Sequence, residues 1–237
     1  MDNNNIIISV KDVCRSFQVG NQTVNALSGV SLDIEKGKLT VLRGRSGSGK
    51  TTLLNIMSAL DTPTSGSVLF NGRDISSFSN KEKCLLRRKS FGFVFQSVAL
   101  ISTMTAYENV EFAMRVAGAN MKDRHTKIPD LFETVGLKNR YKHRPGELSG
   151  GEQQRVAIVR AIAHEPSIIF ADEPTAELDT ATGIKVVAIF KSLIEKSGVS
   201  VIMTSHDPNI IELADVIYEL SDGKVIDCIR NTNGGKP

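Results

Sequence analysis

The stretch that most constrains this chain is Gly44-Arg45-Ser46-Gly47-Ser48-Gly49-Lys50-Thr51-Thr52, set between the apolar run Leu39-Thr40-Val41-Leu42 and a helical pattern over residues 51–60. It fits G-x-x-x-x-G-K-[ST] in the strand–loop–helix setting that the pattern requires. Glycines let successive backbone N–H groups curl around phosphate oxygens, and the start of the following helix adds partial positive charge. Lys50 is then expected to reach the β- and γ-phosphates, and the Thr51 hydroxyl to ligate Mg²⁺. The competing account is a plain glycine turn before a helix. The flanking strand and helix weigh against it.

A second polar constellation follows a buried-type strand. Ile168-Ile169-Phe170-Ala171 delivers Asp172 and Glu173 to its C-terminal end, where open α/β sheets bind ligands. Asp172 suits the Mg²⁺ shell and Glu173 suits polarisation of an attacking water. Asp-Glu-Pro is equally good turn chemistry, so the pair acquires meaning from the phosphate loop ahead of it.

The rest of the chain reads as alternating strands and helices. Short strands are expected at 6–10, 30–34, 67–70 (closed by Asn71-Gly72), 91–95 and 199–204. Helices are expected at 106–117, 128–135, 150–163 (stopped by Glu165-Pro166) and 185–196. Such alternation implies a mostly parallel sheet, with the helical middle from Ser97 inserted into it. The tail from Asn231 reads as flexible.

Bulk properties bound the function classes. A 237-residue chain with 41% hydrophobic residues can bury a sizeable core. A net charge of +3 does not by itself suggest nucleic acid, and none is expected as a partner. Cys14, Cys84 and Cys228 have no paired spacing, which suits a reducing compartment. The N-terminus lacks the pattern of a signal peptide, and nowhere do about 18 apolar residues run together, so a membrane role is expected to need a partner.

At this point the chain resembles the ATP-binding cassette ATPases, the motor subunits of ABC transporters. "GRSGSGKTT" is similar to their Walker A motif, "SIIFADEP" to Walker B, and "LSGGEQQR" to the family's own signature. Smaller motifs fall in the expected order: Gln96 as the Q-loop glutamine, Glu177-Leu178-Asp179 as the D-loop, His206 as the switch histidine, and Phe17 as the aromatic that stacks on adenine. The resemblance implies an α/β P-loop NTPase (RecA-like) core with a mostly parallel sheet, an N-terminal antiparallel β-subdomain and an inserted α-helical subdomain. It implies one domain over 1–237, with the core at about 1–96 and 152–237 and the helical part at about 97–151. It further implies ATP contacts from Phe17, Ser46, Gly47, Ser48, Gly49, Lys50, Thr51 and Thr52. Ser149, Gly150, Gly151, Glu152 and Asp179 would contribute as well. Mg²⁺ would be held by Thr51, Gln96 and Asp172, and catalysis would rest on Glu173, His206 and Gln96.

Ser149, Gly150 and Gly151 precede a long helix, and so offer N–H donors and a helix dipole much like the first loop. In the family the signature of one subunit covers the ATP held by Walker A of another. The resemblance therefore implies a head-to-tail dimer with two ATPs at its interface, most simply a symmetric homodimer. Several segments, among them "NIMSALDTPTSGSVLFNGRDIS", are similar to the MacB/LolD/FtsE-like branch. That branch implies a transmembrane permease partner and a place on the cytoplasmic face of the membrane, for export, extraction or force transmission. Leu100, Ile101 and Met104 would line the groove for the partner's coupling helix. Residues 141–147 lack the acidic-glycine element of exporter cassettes fused to their membrane domain, which agrees with a separate subunit. One departure is Ala176-Glu177 in the D-loop, where relatives commonly carry Gly-Asn or Gly-Ala. The rival accounts are a soluble, non-transport cassette ATPase and an ATP-gated scaffold of a sensor complex.

Overall fold

The structure, a computed structural model, describes residues 5–231. Two 14-residue strands, β1 (Ile6–Val19) and β2 (Gln22–Glu35), form an antiparallel hairpin. Only the inner parts of these strands were expected from sequence. Irregularities between Val10 and Val13, Val13 and Arg15, and Arg15 and Ser16 break the alternation that marks a strand. The outer part is also polar and exposed. β4 (Ser65–Phe70) pairs antiparallel with β1 and turns at Asn71-Gly72, both at positive φ, into the short β5 (Arg73–Asp74). The sheet order is β2-β1-β4-β5.

A second sheet holds six strands: β3 (Leu39–Arg43), β6 (Phe91–Val94), β7 (Ile168–Ala171), β8 (Ser200–Thr204), β9 (Val216–Ser221) and β10 (Lys224–Arg230). Its order is β10-β9-β3-β8-β7-β6, parallel from β9 to β6, with β10 antiparallel at the edge. β7 and β8 are buried at every position, as central parallel strands covered on both faces must be.

The helices are α1 (Lys50–Met57), α2 (Asn80–Ser90), α3 (Ala106–Ala117), α4 (Met121–Thr134), α5 (Gly150–Ile162), α6 (Thr180–Ser197) and the one-turn α7 (Pro208–Ile211). Leu53, Ile56 and Met57 of α1 pack between the two sheets against Ile8, Ile34 and Phe91. On the other face of the parallel sheet, Val186, Val187 and Phe190 of α6 join Ala157 and Ile158 of α5 against Ile169 and Val201. A third cluster joins Val110 and Met114 of α3, Ile128 and Phe132 of α4, and Val156 and Val159 of α5. α5 thus presents one side to the sheet and another to the helical layer.

α2, β5, α7, β9 and β10 had no counterpart in the sequence reading. α2 buries only Lys83 and is held by a capping box between Ser79 and Glu82, so it shows no apolar stripe. β9 and β10 form a hairpin through Asp222-Gly223. α4 and α6 begin earlier than expected, because their first turns are polar and are set by the caps Asn120 and Asp179. Of the tail expected to be flexible, only Asn231 is among the described residues. No helix among them is long and apolar enough to cross a membrane.

Candidate nucleotide site

β3, β8 and β7 are neighbours in the sheet, so the loops leaving their C-terminal ends converge. Residues 44–49 follow β3, and at Gly44 and Gly49 the loop approaches other backbone so closely that a side chain would not fit. A Cβ on Gly44 (φ 150°) would lie 2.2 Å from the Leu220 carbonyl oxygen, and one on Gly49 (φ 100°) would lie 2.6 Å from that of Ala26. Ser46 and Gly47 are exposed at the tip of the loop, and Thr52 is half-buried on α1. α1 starts from Gly49 with no side-chain cap, whereas α2 to α6 are each closed by one. The buried Lys50 Nζ donates to the Gly44 and Arg45 carbonyls at 2.8 and 3.0 Å. Ser48 Oγ in the same loop is buried without a hydrogen-bond partner. Open helix N–H groups, a cation held at the loop and an orphan hydroxyl fit a phosphate chain.

The acidic side of the site is a connected chain. Thr51 Oγ1 donates to Asp172 Oδ1 at 3.1 Å. Thr204 Oγ1, at the end of β8, donates to the same oxygen at 2.8 Å and accepts the Glu173 N–H at 2.8 Å. Glu173 sits at φ 42°, a conformation that a non-glycine residue holds only when its surroundings impose it. His206 Nδ1 lies 3.7 Å from Glu173 Oε2, and both border a recess of about 100 Å³ with Thr175, Ala176, Leu178 and Ser205. The structure therefore brings Thr51, Asp172, Glu173 and His206 together. Thr204 was not anticipated; its signal was a polar residue ending an otherwise apolar buried strand. Thr51 and Asp172 offer the hard oxygen donors that Mg²⁺ takes, with one carboxylate beside a phosphate-binding loop.

The remaining predicted residues lie further out. Gln96 is exposed, two residues beyond β6, and no hydrogen bond among the described residues ties it to Asp172 or Thr51. After it the chain is bent at Val98 (φ 59°) and Ala99 (φ 49°), and Arg160 of α5 donates to both carbonyls. Phe17 is 38% exposed on the outer hairpin, across from Val24.

The signature is a separate exposed helix start. Ser149 caps α5: its Oγ accepts the Glu152 N–H at 3.3 Å, while Glu152 Oε2 accepts the Ser149 N–H at 2.8 Å. That backbone bond holds the Glu152 carboxyl below its ordinary pKa, and Arg140 pairs with it at 3.1 Å. Gly150 and Gly151 pack toward the D-loop and α6: a Cβ on Gly151 would stand 2.8 Å from Thr182 Cγ2. Asp179 caps α6 and accepts from Thr182 N and Oγ1 at 3.0 and 2.6 Å, which depresses its own pKa. No hydrogen bond or ion pair among the described residues joins Ser149–Glu152 to residues 44–52.

A glycine cradle ahead of an open helix, with a carboxylate pair on the adjoining parallel strand, defines a phosphate-loop NTPase. The comparisons narrow that class. Residues 27–176 match the ABC transporter family, and the chain belongs to it as an ATP-binding cassette, an ATPase. The uncharacterised ABC transporter ATP-binding protein MJ1508 of Methanocaldococcus jannaschii is 45% identical over 94% of this chain and the whole of its own length. The macrolide export ATP-binding/permease protein MacB of Brucella melitensis is 43% identical over 93% of this chain, which spans only 34% of that protein. The dimeric post-hydrolysis structure of the ATP-binding cassette MJ0796, bound to ADP and Pi, superposes with a TM-score of 0.87. It is 36% identical and covers 94% of this chain and 98% of its own.

Proposed function

We propose that this chain is the ATP-hydrolysing motor of a MacB/LolD-like transporter, working as a head-to-tail homodimer beneath a separate transmembrane permease at the cytoplasmic face of the membrane. The observation that carries the proposal is the spatial separation of two helix starts, the uncapped start of α1 and the exposed, Ser149-capped start of α5. The one at Gly49 adjoins the acidic chain, and the one at Ser149 adjoins the D-loop. A symmetric pair lets the Ser149–Glu152 start and Asp179 of one copy face the Ser46–Thr52 loop of the other, so each ATP has two cradles. The dimeric form of the related cassette MJ0796 supports that arrangement.

In the closed state the backbone of residues 46–49 and the side chain of Lys50 hold the phosphates, and Phe17 stacks on the base. Thr51, Asp172 and Gln96 would hold Mg²⁺, which neutralises developing charge on the phosphate oxygens. Glu173 accepts a proton from water in the recess it shares with His206, and His206 steadies the terminal phosphate. The bend at Val98–Ala99 comes just after Gln96, which supports a reading in which docking of the permease moves it.

A groove of about 480 Å³ beside that bend is floored by Phe91, Phe93 and Phe95 and walled by Phe112 and Val116 of α3. We assign it to the permease's coupling helix. Of Leu100, Ile101 and Met104, Ile101 lines the groove, whereas Leu100 packs inward on the helical core. The division into a core at 1–96 and 152–237 with a helical part at 97–151 belongs to the same proposal, with α5 as the joint. Macrolides and lipoproteins are candidate cargoes, and the permease would select among them.

The test is Glu173→Gln. The variant should bind ATP, run as a dimer in gel filtration with ATP, and release little phosphate. Turnover at the normal rate would remove Glu173 from its assigned role.

A further inference from the structure

Arg15 stands two residues before Phe17 on β1, and its guanidinium carbon lies 4.4 Å from the centroid of the Phe17 ring. Asp61 grips the same guanidinium edge-on, with Nε to Oδ2 at 2.8 Å and Nη2 to Oδ1 at 2.9 Å. An in-plane fork leaves the faces of the guanidinium free, so bridging and stacking do not compete. Arg15 lies over the Phe17 ring, yet the residue as a whole is still 38% exposed, so its side chain is not sealed from solvent.

Asp61 belongs to the loop that follows α1, the helix that begins with Lys50. That loop holds β1 at two further points: Ser16 N donates to Thr64 Oγ1 at 3.1 Å, and Thr64 N donates to the Cys14 carbonyl at 2.8 Å. The element that starts at the phosphate loop thus ends by fixing the strand that carries Phe17.

We propose that Arg15 is a positioning residue for the purine platform: anchored by Asp61, it backs Phe17 and conditions the open part of the ring for the base of ATP. This rests on Phe17 being that platform. A phenyl face carries negative potential, which opposes the π cloud of a stacked base. A cation on the ring draws that density toward itself and lowers the opposition, while its contact restricts the ring to one rotamer before the nucleotide arrives. Arg15 itself touches neither base nor phosphate in this arrangement. Its effect should appear only for ligands that carry a base.

The experiment is isothermal titration of the full chain with two magnesium-loaded probes, the β,γ-imido analogue of ATP and inorganic tripolyphosphate. Arg15→Met should weaken the nucleotide by about two- to fivefold, the size of one exposed cation–π contact, and leave tripolyphosphate unchanged. Asp61→Asn should move the nucleotide in the same direction, and Arg15→Lys should recover part of the loss. In a Phe17→Ala background Arg15→Met should have no further effect. If Phe17→Ala leaves the ratio of the two affinities unchanged, the platform reading and this proposal both fail. If Phe17→Ala lowers that ratio and Arg15→Met does not, the platform stands and the role of Arg15 is refuted. Equal weakening of both probes by Arg15→Met, with a lowered Tm, would make Arg15 structural and also overturn the proposal.

Discussion

Thr204→Val removes one hydroxyl and tests how the Asp172–Glu173 pair, to which the proposal gives the metal and the attacking water, is held. Thr204 is fully buried, donates to Asp172 Oδ1 at 2.8 Å and accepts the Glu173 N–H at 2.8 Å. Valine keeps the branched shape and deletes both bonds. A hydrogen bond to a charged acceptor contributes about 1.5–3 kcal/mol, and an orphaned buried N–H costs about 1–3 kcal/mol. The added methyl offsets about 0.8 kcal/mol, which leaves a net loss of roughly 2–5 kcal/mol. For a chain of this size that is a fall in Tm of roughly 4–20 °C.

The catalytic effect has a separate origin. Glu173 is held at φ 42°, and relaxing such a residue toward ordinary backbone releases about 1–3 kcal/mol, so it will move once the bond to its N–H is gone. A displacement near 1 Å at a reacting group costs about 100-fold in rate. Initial rates of phosphate release, measured at a temperature where the variant is folded by circular dichroism, should show kcat down about 10- to 100-fold. ATP affinity should change much less, since Lys50 and the loop at 44–49 are untouched. Thr204→Ser keeps the hydroxyl and should stay near the parent kcat. A Thr204→Val protein that loses stability but turns over ATP at the parent rate would refute the claim that this hydroxyl sets Glu173.

Gly92→Ala tests packing alone: its Cβ would stand 2.5 Å from the Ala161 carbonyl oxygen, a backbone atom of α5 that cannot step aside. Overpacking of this kind costs about 1–3 kcal/mol, and thermal melts should show a Tm roughly 2–10 °C lower. His164 is half-buried, its Nε2 bonded to the Phe91 carbonyl, and burial lowers its pKa below the ordinary 6.5. Between 6.5 and that lowered value the unfolded chain binds more protons than the folded one, so stability falls as pH falls through the window and is insensitive to this group above it. His164→Gln should flatten the acid limb of a Tm-versus-pH curve below pH 6.5, and an unchanged limb would assign it to other groups.

What could be read ahead of the structure was what depends on near neighbours in the chain. The loop at 44–51, the strand at 168–171 and the helix at 106–117 each carry their spacing, their breaker and their polarity within a dozen residues, and each appears where expected. The outer hairpin was missed because its strand signal is interrupted by irregular pairing, although Phe17 and Arg15 lie on it. α2 was missed because a capping box and charged side chains, with no apolar stripe, define it. The β9–β10 hairpin did announce itself, since Asp222-Gly223 stands between apolar alternations, but no motif drew attention to it. Thr204 marks the physical limit. As a residue it is one more polar end to a strand. It becomes part of the site only because β8 lies beside β7, which puts its hydroxyl between Asp172 and the backbone of Glu173. The same limit applies to Arg15 and Asp61, 46 residues apart in sequence and joined by two hydrogen bonds. Motifs name the groups proposed to touch ATP, because such groups must recur at fixed local spacing. The residues that hold those groups in place are chosen by the sheet order, and a single sequence does not display it.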